Sequence, residues 1–211
     1  MKKQAKLKIA VTGGIGSGKS TFCDYISSKG FVVIKADDLA KVLLDSDKSI
    51  KSKVIKAFGV NSYNGDKANR KFLAEQVFSN SDSVKKINSI IHPRVIEETS
   101  NLIEKTLQTH NIVFVEAALI FEAKMEQMFD YIIVITSDLE KRIERIIIRD
   151  NVDREKVLQR MENQIPDEVK RKKADFVFIN DKDVSVLKAN ADFFISISSK
   201  LKKNDKSSNP G

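Results

Sequence analysis

The sequence predicts an α/β fold, a five-stranded parallel sheet with helices on both faces, and three observations predict it. Five short apolar runs recur, at residues 7–11, 31–34, 112–115, 131–135 and 176–179, interrupted only by Lys8 and not alternating. Strands buried on both faces read this way. Helical patterns lie between the runs, the alternation expected of parallel strands joined by crossovers. The first run leads directly into Gly13-Gly14-Ile15-Gly16-Ser17-Gly18-Lys19-Ser20, which meets every position of the phosphate-loop pattern G-x-x-x-x-G-K-S/T.

Taken in order, residues 7–11 form the strand and residues 19–29 the helix that this pattern requires. Glycines let the backbone turn tightly, so that N–H groups of Gly14, Gly16, Ser17, Gly18 and the residues through Thr21 can face phosphate oxygens. The helix start adds the positive end of its dipole. Lys19 suits the β- and γ-phosphates, and the Ser20 hydroxyl suits Mg²⁺. This implies a nucleoside triphosphate. Gly30 stands where a helix C′ glycine belongs.

Between the second and third strands, residues 37–111 show helical stripes (Leu39, Val42, Leu43; Phe72, Leu73, Val77, Phe78) and no convincing strand. Residues 62–66 read as a turn between helices, and Pro93 as a break or a helix start. So long an insertion exceeds what a crossover needs and suits an acceptor-binding helical part, set at residues 46–111. The nucleotide-binding core then comprises residues 7–45, 112–140 and 174–200. After the fourth strand, Ser137 is a candidate cap for a helix ending at Asp150. Residues 141–173 carry Arg142, Arg145, Arg149, Arg154 and Arg160 among interleaved acids. That pattern reads either as a solvated face with ion pairs or as a lid bringing arginines to phosphates.

Ligands in open α/β sheets sit beyond the carboxyl ends of the strands. Asp37 follows the second strand and Glu116 ends the third, so both are candidates to handle a hydroxyl proton or Mg²⁺. Asp37 reads equally as a helix N-cap, and Glu116 also reads as a cap. His92, taken alone, reads as an ordinary packed or surface histidine. No Asp-x-x-Gly or Asn-Lys-x-Asp is present, which excludes the usual guanine-nucleotide switch signature.

The chain has 211 residues and a formal net charge of +8. Residues 1–8 carry +4 and residues 200–206 carry +3, leaving +1 for the rest. A charge confined to the ends, including a basic tail at 200–211, argues against a nucleic-acid footprint. No apolar run is long enough to span a bilayer. The single cysteine, Cys23, cannot form an internal disulfide and reads as a core residue. The expectation is a cytoplasmic protein of one domain, with no membrane partner and an open oligomeric state.

The chain resembles the dephospho-coenzyme A kinases. The stretch Val11–Thr21 resembles that family's loop, and Ala36-Asp37-Asp38-Leu39-Ala40-Lys41 its Asp-Ala-Asp-x-x-Ala-Arg segment. Asn69-Arg70 with Leu73, Val77 and Phe78, then Ile91-His92-Pro93, Leu119-Ile120-Phe121-Glu122, Arg145-Ile146-Ile147-Ile148-Arg149-Asp150, Arg160-Met161-Glu162-Asn163-Gln164 and Ala174-Asp175 with Asn180 follow in the family's order. Lys35 replaces the usual first Asp, and Ala118 the usual Pro. The resemblance covers residues 7–180. It implies a three-layer P-loop kinase fold with a lid, and transfer from ATP to the ribose 3′-hydroxyl of dephospho-coenzyme A. It implies that Lys19, Arg145 and Arg149 meet the phosphates, that Ser20 holds Mg²⁺, and that Asp37 accepts the hydroxyl proton. Arg70, His92 and Glu116 would serve the acceptor. Another P-loop kinase for a nucleotide or nucleoside, or a non-catalytic nucleotide-dependent module, are the alternatives.

Overall fold

The computed structural model describes residues 5–78 and 81–202; the basic residues at 2, 3, 203 and 206 lie outside them. In chain order the elements are β1 (Leu7–Thr12), α1 (Lys19–Ser28), β2 (Val32–Lys35), α2 (Ala36–Ser46), α3 (Lys48–Phe58), β3 (Tyr63–Asn64), β4 (Lys67–Ala68), α4 (Arg70–Phe78), α5 (Ser81–Thr109), β5 (Ile112–Glu116), β6 (Tyr131–Thr136), α6 (Leu139–Asp150), α7 (Arg154–Glu162), α8 (Asp167–Lys173), β7 (Phe176–Ile179) and α9 (Val184–Ser198). The described residues form two compact units, residues 5–35 with 102–202, and residues 36–78 with 81–101. No described helix is long and apolar enough to cross a membrane.

The larger unit is built on a five-stranded sheet of order β2-β5-β1-β6-β7, parallel throughout. All five expected strands are present. Leu7, Ile9 and Val11 face one side with Phe114, Ile133, Ile135 and Phe178, against Phe22, Cys23 and Ile26 of α1 and Leu187, Ala191 and Phe194 of α9. Aromatic rings knit this layer: Phe194 meets Phe114 at 6.0 Å and Phe176 at 5.1 Å, both edge-to-face. Alternation turns Lys8 to the other side, where its Nζ pairs with Glu104 of α5 at 2.9 Å. Cys23 is fully buried, and burial pushes its thiol well up from its ordinary range. Helix α1 ends as expected, with Gly30 at φ 89° and its N–H on the Ser27 carbonyl.

One local expectation fails here. Ser137 does not cap α6; Asp138 does, accepting from Glu140 and Lys141 N–H. The Ser137 hydroxyl instead donates to the Asn180 carbonyl and to Asp181 at the foot of β7. A carboxylate is the better acceptor at a helix start, since the dipole adds to the hydrogen bonds.

In the smaller unit, residues 62–66 are not a plain turn. A single 3₁₀ turn at Val60–Ser62 leads into the β3–β4 hairpin, with Gly65 at φ 62° in the bend. Two residues per strand are too few to leave an alternation in the sequence. Asp37 is no N-cap: β2 runs directly into α2, which begins at Ala36, so Asp37 lies in the first turn. Pro93 neither breaks nor starts a helix but lies inside α5. The ring removes one hydrogen bond, and a helix of 29 residues retains enough others to continue through it.

Asp47 caps α3, accepting from Ser49 N–H at 2.8 Å and Ile50 N–H at 3.0 Å, and takes Arg94 Nε at 3.0 Å. The Ile50 N–H above all, with Arg94 and Ser49, holds its carboxyl below the ordinary range despite partial burial. A depressed folded-state value contributes stability above the unfolded value and loses it as pH falls through the folded one. Asp47→Ala is therefore expected to cost about 1–2 kcal/mol at neutral pH. The gap from wild type in urea melts should close under acid conditions that protonate the carboxyl.

Candidate active site

The phosphate loop leaves the end of β1 through backbone only glycine tolerates. Gly13 has φ 147°, and a Cβ there would lie 2.0 Å from the Ile135 carbonyl oxygen. Gly18 has φ 100°, and a Cβ there would lie 2.3 Å from Asn180 Nδ2. Gly18 is the N-cap of α1 and supplies no side-chain cap, so the first-turn N–H groups of α1 face the loop's concavity unclaimed by a cap.

Side chains from distant segments take the loop's carbonyls. Arg142 Nε donates to Ile15 O at 2.9 Å, Arg145 Nη1 to Gly16 O at 3.3 Å, and Asn180 Nδ2 to Ser17 O at 2.9 Å. In a trans peptide the N–H points opposite to the C=O. Holding the Ile15 and Ser17 carbonyls on one side thus turns the N–H groups of Gly16 and Gly18 to the other. Gln164 Oε1 receives the Ile15 N–H at 3.0 Å. The result is a preformed concavity of N–H dipoles, the arrangement that binds phosphate oxygens.

Lys19 is 8% exposed and folds back over this concavity, donating to the Gly14 carbonyl at 3.4 Å. Ser20 Oγ donates to Glu116 Oε1 at 2.6 Å. Glu116 ends β5 between Val11 of β1 and Lys35 of β2, so the carboxylate stands at the carboxyl edge of the three adjoining strands. It is buried, and its Oε2 has no hydrogen-bond partner. Thr21 follows on α1, exposed.

Of the arginines, Arg145 also reaches the Ser137 hydroxyl at 3.1 Å and the Asn180 carbonyl at 2.9 Å. Arg149 is turned elsewhere: its Nε and Nη2 grip Asp150 at 2.7 and 3.1 Å, and Arg160 joins from α7 at 2.8 Å. Arg149 first, then Arg160, hold the Asp150 carboxyl below its ordinary range. The sequence names Arg142 among the lid arginines but assigns a phosphate role only to Arg145 and Arg149; Arg142 is 7% exposed and also pairs with Asp167 at 2.8 Å. Nor does the sequence assign a role to Gln164 or Asn180, although both stand in the ordered motif set.

The smaller unit carries the other three residues. Asp37 is exposed on the first turn of α2. Arg70 Nη2 donates to Asp45 at 2.8 Å and to the Lys41 carbonyl at 3.2 Å, which ties α4 to α2. His92 is half-buried on α5, beside Pro93.

A family model described as dephospho-CoA kinase matches residues 7–185. The dephospho-CoA kinase of Fusobacterium nucleatum is 39% identical over 181 residues, covering 85% of this chain and 92% of that protein. That of Corynebacterium efficiens is 33% identical over 192 residues, covering 90% and 96%. Among solved structures, the dephospho-CoA kinase from Campylobacter jejuni aligns with a TM-score of 0.69 at 30% identity, over 92% of this chain and 97% of that one. TT1252 from Thermus thermophilus aligns at 0.76 and 29% identity, over 94% and 99%. Shikimate kinase from Acinetobacter baumannii, at 12% identity and a TM-score of 0.56 over 94% and 97%, shares the P-loop kinase fold. With its intact phosphate loop and its ordered motifs matched across residues 7–185, the chain belongs to the dephospho-CoA kinase family.

Proposed function

We propose that this protein transfers the γ-phosphoryl group of ATP to the ribose 3′-hydroxyl of dephospho-coenzyme A, giving ADP and coenzyme A, and that the residues above divide the work. Family membership supports the reaction; the preformed loop with the Ser20–Glu116 pair at its mouth is the observation that carries the mechanism.

Phosphoryl transfer has a loose transition state, so positioning and charge stabilisation outweigh covalent chemistry. The N–H groups from Gly14 to Thr21 hold the β- and γ-phosphates. Lys19, already folded over the loop, neutralises charge as it builds on the bridging oxygen. A buried carboxylate oxygen without a partner, next to a serine hydroxyl, fits a hard divalent cation. Mg²⁺ keeps most of its waters and needs few protein ligands. Ser20 and Glu116 would hold it, and it would neutralise phosphate charge. Arg145 is held beside the loop through Gly16; Arg149 reaches the phosphates only by leaving Asp150. Asp37 orients the acceptor hydroxyl and takes its proton. Arg70 and His92 serve the rest of the acceptor.

The test is ADP release with Mg-ATP against dephospho-coenzyme A, adenosine, AMP, CMP and no acceptor. Release confined to dephospho-coenzyme A, with equimolar coenzyme A, is expected. Equal release with another acceptor would overturn the substrate assignment while leaving the loop's role intact.

A further inference from the structure

A buried ion pair outside the reaction machinery supports the phosphate loop from behind. Lys170 of α8 is fully buried and pairs through Nζ with Glu122 Oε1 at 2.9 Å, with a second bond to the Ala118 carbonyl at 3.3 Å. The same Glu122 oxygen accepts the Ile165 N–H at 2.8 Å. The residue before Ile165 is Gln164, whose Oε1 receives the Ile15 N–H of the phosphate loop. Two residues after Ile165, Asp167 accepts from Arg142 at 2.8 Å and from Thr136 Oγ1 at 3.0 Å, and Arg142 holds the Ile15 carbonyl. Both polar groups of Ile15 therefore end on the turn between α7 and α8, directly or through one guanidinium. That turn is anchored by Glu122.

A buried lysine and carboxylate are costly to desolvate, and an apolar pair of like volume is often no less stable. Packing alone does not account for them. What the pair supplies is an acceptor held still for the Ile165 N–H. A shift of Ile165 passes through one rigid peptide to Gln164, and so to the loop.

We propose that Glu122 and Lys170 are positioning residues for nucleotide binding: they fix Ile165, which sets Gln164 against Ile15 and holds the phosphate loop open in its binding shape. This rests on reading residues 13–21 as the nucleotide site, not on the acceptor, so ADP affinity rather than phosphoryl transfer is the readout.

The test compares two double variants by calorimetric titration with ADP, each with a thermal melt. Glu122→Gln/Lys170→Met removes both charges but keeps an acceptor for Ile165, and its ADP affinity should stay within about twofold of wild type. Glu122→Leu/Lys170→Met removes the acceptor, and its affinity should fall about tenfold, the scale of one lost hydrogen bond. Adding Gln164→Ala to the leucine variant should cost almost nothing more, because coupled residues are non-additive. A folded leucine variant with wild-type ADP affinity, or a full additive loss from Gln164→Ala, would overturn the proposal. Amide exchange gives a readout that does not depend on that variant folding. In Glu122→Gln/Lys170→Met, which keeps the acceptor, the Ile15 and Ile165 amides should both hold their wild-type protection; Ile165 opening while Ile15 stays protected would also overturn it.

Discussion

Lys19→Ala is expected to lower kcat/KM for ATP by about three decades, the scale of losing a charged donor aimed at developing negative charge. The side chain is buried over the phosphate loop and donates to the Gly14 carbonyl. Removing a buried ammonium relieves desolvation, so the melting temperature should hold or rise. Loss of turnover without loss of fold separates a chemical role from a structural one. Turnover within tenfold of wild type, in folded enzyme, would remove Lys19 from the mechanism.

Asp37→Asn is the second large effect. As a proton acceptor, Asp37 is worth about two to four decades of kcat, and the isosteric amide should leave the KM for dephospho-coenzyme A nearly unchanged. Its position supplies a competing structural role. An acid in the first turn of α2 stabilises the helix by about 0.3–1 kcal/mol through the dipole. Since it is not the N-cap, its removal costs no cap. Single-turnover rates at saturating substrates, beside a urea melt, separate the two roles. A change confined to the melt would leave Asp37 as a helix acid only.

The sheet was legible because strands buried on both faces are apolar at nearly every position, and such runs are local in sequence. The helical insertion was legible as helical but not in its punctuation. Pro93 is a strong local break signal that the length of α5 overrides, and the β3–β4 hairpin is too short to show a period. At the site, the phosphate loop was readable because its residues are contiguous and its glycines answer backbone requirements. The partners of that loop were not. Arg142, Arg145 and Arg149 share one face of α6 at helical spacing, and nothing in that spacing says which of them reaches the loop. The docking of α6 brings Arg142 and Arg145 onto Ile15 and Gly16 and leaves Arg149, one turn on, with Asp150.

By itself the sequence determined the fold class, the parallel strands, the phosphate loop and the family, because each is written in contiguous residues or in an ordered set of short motifs. Only the tertiary structure decided what holds the loop. Gln164 meets Ile15 across 149 positions of chain, Asn180 meets Ser17 across 163, and Glu122 meets Lys170 through a buried charge pair. Such contacts depend on how helices dock on the sheet, a property of packing that no local pattern encodes.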